Sequence, residues 1–80
     1  MTKLEECKEF CKLINLRDSM SYLRGHASKE FEMDLLNALN KLINDNFDYY
    51  FGDKSEYKMK YNKSHNHVVV KKKPYEVVKN

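Results

Sequence analysis

Eighty residues at 9.6 kDa make one small domain, and a chain of this size buries only about 60% of its unfolded surface, so its core is thin. Hydrophobic residues at 41% and charged residues at 34% are the balance of a globular domain and exclude a disordered tail. The longest apolar runs fall far short of the roughly 18 residues that span a bilayer, which excludes a membrane-spanning role.

The first element is a helix. Thr2-Lys3-Leu4-Glu5 has the spacing of a capping box, with Thr2 as N-cap and Glu5 reaching back to it. Leu4, Cys7, Phe10, Cys11, Leu13 and Ile14 then share one half of a helical circumference, opposite Glu5, Lys8, Glu9 and Lys12. This pattern predicts a helix over about 3–16. Asp18 or Ser19 next offers a cap for a short helical turn near 19–24 carrying Met20, Tyr22 and Leu23, with Gly25 to end it.

Ser28 is placed to cap the longest element, a helix over about 29–51 that Gly52 stops, with Glu30 and Glu32 at the positive end of its dipole. Its apolar positions cover about half the circumference, wider than the roughly 100° stripe of an ordinary surface helix. If the rest of the chain covers less than that arc, Met33, Leu36, Phe47 and Phe51 form an exposed margin for a partner or for a second copy in a homodimer.

From Lys54 the period changes to two. Tyr57, Met59 and Tyr61 alternate with Glu56, Lys58 and Lys60, Asn62–Asn66 is turn-forming, and His67–Lys71 is β-branched and extended. Strands over about 55–62 and 66–72 make an antiparallel hairpin, and 75–78 beyond Pro74 is a possible third edge strand. The expected fold is therefore one α+β domain over 1–80, two helices followed by a small antiparallel sheet.

Charge is divided unevenly along the chain. Residues 1–53 carry seven Lys and Arg against ten Asp and Glu, a net −3, whereas residues 54–80 carry eight Lys against two Glu, a net +6. Lys58, Lys60, Lys63, Lys71, Lys72 and Lys73 crowd the hairpin, with His65 and His67 in and beside its turn and Tyr57, Tyr61 and Tyr75 interleaved. Ammonium groups contact phosphates and tyrosine rings stack on bases, so this is a candidate surface for nucleic acid. Only two arginines are present, so base-edge reading is poorly supplied and sequence-nonspecific contact is expected. The same lysines suit an acidic protein partner, and lysines also protect sheet edges from aggregation.

Chemistry is sparsely represented. Cys7 and Cys11 with His65 and His67 supply the atoms of a zinc site, but the cysteines sit on the apolar arc of a capped helix and the histidines are only two apart, unlike a zinc finger. His65 and His67 among lysines are also the residue types of a small metal-independent ribonuclease, one histidine as general base and a lysine or the second histidine steadying phosphorane charge. Two glycines build neither a Walker loop nor a dinucleotide fingerprint. The expectation is a non-enzymatic binding or regulatory protein without cofactor or metal. The first six residues lack the apolar core of a secretory signal and two cysteines are too few for a disulfide framework, which together predict a cytoplasmic protein. Lys, Asn, Tyr and Ile make 29 of the 80 residues while Ala and Gly supply two each, the codon signature of an AT-rich genome, bacterial or phage among others.

Overall fold

The computed structural model describes residues 1–22 and 30–77, with Ser21 and Tyr22 described by backbone alone. It has the predicted α+β arrangement: α1 (Lys3–Tyr22), α2 (Glu30–Phe51), β1 (Tyr57–Asn62) and β2 (His67–Lys72). No helix among the described residues is long and apolar enough to cross a membrane.

The capping box forms as its spacing implies. The Glu5 N–H donates to Thr2 Oγ1 at 3.2 Å, and the Thr2 N–H and hydroxyl donate to Glu5 Oε1 at 3.4 and 3.0 Å. The helix does not pause at residue 17, however. Asp18 and Ser19 read as caps, but no Gly or Pro precedes Gly25, and α1 continues to Tyr22. The Arg17 guanidinium spans this stretch, donating to Asp18 Oδ1 at 3.1 and 3.2 Å and to Asn40 Oδ1 of α2 at 3.5 Å. The expected turn over 19–24 is thus partly α1 itself. Its remainder, with Gly25, His26 and Ser28, lies outside the described residues.

Helix α2 ends at Gly52, whose N–H donates to the Asp48 carbonyl at 2.9 Å. A Cβ at Gly52 would run into that same carbonyl oxygen, so glycine is required here by close approach. Near the other end of the helix, Glu32 Oε2 is buried with no hydrogen-bond partner among the described residues, close to the positive end of the dipole.

β1 and β2 pair antiparallel from Tyr57↔Lys72 to Asn62↔His67 around the four-residue loop 63–66. Asn62 Oδ1 accepts from the Ser64 N–H at 3.1 Å, and Asn66 takes the left-handed conformation at φ 55°, which a short polar side chain tolerates. Asn66 Oδ1 also accepts from the Tyr61 hydroxyl. The third strand does not appear: among the described residues no strand follows Lys72, and Pro74 has no N–H to extend the ladder.

Cys7, Phe10, Cys11, Ile14, Ile43, Phe51 and Val68 form the core, with Leu13, Phe47, Tyr50, Tyr57, Met59 and Val70 packed against it. Both helices lie on one face of the hairpin, α1 chiefly over β2 and α2 over β1. At 1.5 Å per residue the helices are about 30 and 33 Å long, whereas six-residue strands reach only about 20 Å. One end of the helix pair therefore overhangs the sheet. The core partners Ile43, Phe47 and Phe51 place the hairpin under the C-terminal half of α2, so residues 30–40 make the overhang.

Candidate nucleic-acid interface

Strand register sorts the lysines. Side chains alternate across a pleated sheet, and Tyr57, Met59 and Tyr61 share a face with Val68, Val70 and Lys72. That face carries the core residues and is turned to the helices. Lys58, Lys60 and Asn62 therefore share the opposite, outer face with His67, Val69 and Lys71. Lys58 and Lys71 stand directly across from each other, with Lys60 two residues along.

Three ammonium stems thus rise from a patch roughly 7 Å on a side. Opposed like charges destabilise a strand pair. Lys12 pairs with Glu9, Arg17 with Asp18 and Lys41 with Asp45, all away from this patch, while Glu56 stands at the end of the same outer register, two residues before Lys58. Lys63 extends the same positive charge into the exposed loop.

The other two lysines are placed differently. Lys72 lies on the helix-facing register directly across from Tyr57, at a concavity that it lines with Glu56, Pro74 and Glu76. Lys73 is turned inward: its Nζ donates to the Gly52 carbonyl at 2.9 Å and the Asp53 carbonyl at 3.4 Å, just past the end of α2. Helix α2 has no basic residue in its own last turn, and Lys73 supplies that positive charge from the far strand. Lys3 does the same from α1, donating to the Tyr49 carbonyl at 3.0 Å with its Nζ 3.3 Å above the Tyr49 ring. Neither role is visible in the run of three lysines or at the N-terminus.

The tyrosines do not join the lysine face. Tyr57 packs against the core, Tyr61 lies on the helix-facing register and bonds Asn66, and Tyr75 is exposed beyond the sheet. Apart from the His67 imidazole, the outer face therefore offers charge without stacking platforms. His65 and His67 stack on one another with ring centroids 5.4 Å apart, and His67 Nδ1 lies 3.2 Å from the His65 carbonyl oxygen. Stacked this closely, the two rings do not flank a phosphate between them.

Cys7 and Cys11 are buried. Burial raises both thiol pKa values, Cys11 to about 11. Cys7 Sγ also lies 3.7 Å from the Tyr50 carbonyl oxygen, in contact with the end of α2. Among the described residues no three His, Cys, Asp or Glu side chains gather as a metal would require.

The helix-2 margin also differs from the expectation. Leu36 and Phe51 are buried and Met33 and Phe47 half-buried, so these four do not make an exposed edge. The exposed apolar residues of α2 are instead Phe31, Leu35, Ala38 and Leu42, with Tyr49 further along under Lys3. An apolar arc of half a turn does not say which of its two margins the neighbours will cover.

No protein-family model, no curated protein and no solved structure matches this chain.

Proposed function

We propose that this protein is a small non-enzymatic binding module whose outer hairpin face contacts the phosphate backbone of nucleic acid without sequence preference. The observation that carries the reading is the opposition of Lys58 and Lys71, with Lys60 beside them, three ammonium groups on one face against the single carboxylate of Glu56 at its end among the described residues. Such an arrangement costs the free protein electrostatic energy that a polyanion relieves. The lack of arginine and of tyrosine on that face supports backbone contact over base reading.

Fluorescence anisotropy with labelled single- and double-stranded DNA and RNA, titrated with salt, tests this. Three or four phosphate contacts correspond to a log–log salt slope of about −2 to −4. The triple substitution Lys58→Gln, Lys60→Gln, Lys71→Gln should abolish binding with the fold retained. No binding below about 10⁻⁵ M at low salt, weaker than ordinary nonspecific affinity, would overturn the reading and favour an acidic protein as the partner of the same face.

A further inference from the structure

The overhanging end of α2 carries a second surface, unrelated to the lysine face. Phe31, Leu35, Ala38 and Leu42 follow one another at steps of four, three and four residues, so they line one side of the helix over three turns. All four are exposed, Phe31 at 68%, Leu35 at 44% and Leu42 at 46% of their full areas. Single exposed leucines are ordinary, whereas a contiguous stripe at helical spacing is the footprint of a docked helix. Leu36 and Leu39 of the same helix are buried, so the stripe belongs to a different side from the one that α2 turns inward.

The rim of the stripe specifies its occupant. Glu30, Asp34 and Asp45 flank it, all exposed; among the described residues Lys41 is the one cation beside them, and its Nζ is held by Asp45 Oδ2 at 2.9 Å. We infer that this stripe docks a basic amphipathic helix of a partner protein, leucine-type side chains on Phe31, Leu35 and Leu42 and lysine or arginine side chains on the acidic rim. A second copy fits poorly. Stripe against stripe brings two rims together that each carry three carboxylates against Lys41 alone among the described residues, and the basic hairpin face offers only Val69 among its lysines to cover four apolar positions. Electrostatic matching of this kind selects the partner while the apolar anchors hold it.

The test uses the full chain and a synthetic helical peptide of about 18 residues, leucine on one face and lysine on the other, followed by calorimetry and by the gain of peptide helicity. Binding should weaken at least tenfold on the double substitution Leu35→Asn, Leu42→Asn. It should weaken several-fold on Asp34→Asn, Asp45→Asn, and a peptide with glutamate in place of lysine should not bind. Circular dichroism of each variant checks that the fold is kept, which exposed positions permit. Binding indifferent to both double substitutions, or absent at about 100 μM peptide, overturns the inference. So does a dimer by sedimentation that the Leu35→Asn, Leu42→Asn variant loses, because the occupant is then a second copy.

Discussion

The carboxamide of Asn15 in α1 makes two hydrogen bonds to the backbone of Val68 in β2. Its Oδ1 accepts from the Val68 N–H at 2.8 Å, and its Nδ2 donates to the Val68 carbonyl at 3.2 Å. An antiparallel pair alternates between residues whose backbone groups face the partner strand and residues whose groups face away. Val68 faces away from β1, and Asn15 stands where the next strand would be. The same side chain therefore ties helix to sheet and closes part of an edge that would otherwise invite another chain.

Asn15→Leu should destabilise the fold by about 1–3 kcal/mol, because two partly buried backbone groups lose their partners. Asn15→Asp should also destabilise, since it keeps the acceptor for the Val68 N–H but places a carboxylate against the Val68 carbonyl. Urea unfolding followed by circular dichroism reads both, and light scattering should show the Leu variant associating at concentrations where the parent does not. Unchanged stability in both variants would mean that the pairing is incidental.

Lys73 separates a structural lysine from the binding ones. Lys73→Met removes the ammonium that meets the Gly52 and Asp53 carbonyls and should cost about 1 kcal/mol at low salt, with less effect at high salt. Lys71→Met, two residues earlier on the outer face, should leave stability the same or raise it slightly, because it relieves the opposition to Lys58. Thermal melts of the two variants at low and high salt check the contrast, and equal losses would contradict the assignment of faces.

The cysteines give a pH dependence with a definite sign. Burial lifts the Cys11 thiol from the ordinary 9.0 to about 11, so between these values the folded chain keeps a proton that the unfolded chain has released. This contribution to stability is fully present below about pH 9 and is lost as pH rises through about 11. The comparison is with Cys11→Ala: the stability difference between parent and variant should narrow from pH 8 to pH 11. In the folded chain at pH 8 both thiols should resist alkylation, and denaturant should release both together. Rapid alkylation of either thiol in the folded protein would show that the core is open.

Where the residues themselves carry the signal, structure follows sequence closely. Thr2 and Glu5 mark a helix start by spacing alone, Gly52 marks a stop, and the alternation of Tyr57, Met59 and Tyr61 against Lys58 and Lys60 is legible as a strand with two faces. What was not legible depends on partners distant in sequence. Asp18 and Ser19 look like caps until Arg17 is seen to tie that turn to Asn40. Three consecutive lysines look alike until register separates Lys71 from Lys72, and Gly52 and Asp53 draw Lys73 inward. Leu36 and Leu35 are neighbours on the same broad arc, yet one is buried and the other exposed, because the direction from which the neighbouring elements approach is a tertiary fact.

The assignment of the outer hairpin face is tested most directly by backbone amide NMR during titration with a single-stranded oligonucleotide at low salt. Shifts concentrated on Lys58, Lys60, Lys63, His67, Val69 and Lys71, reversed by salt and absent in the Lys58→Gln, Lys60→Gln, Lys71→Gln variant, are the predicted result. Shifts confined to the helices, or shifts that persist in the triple variant, would contradict it.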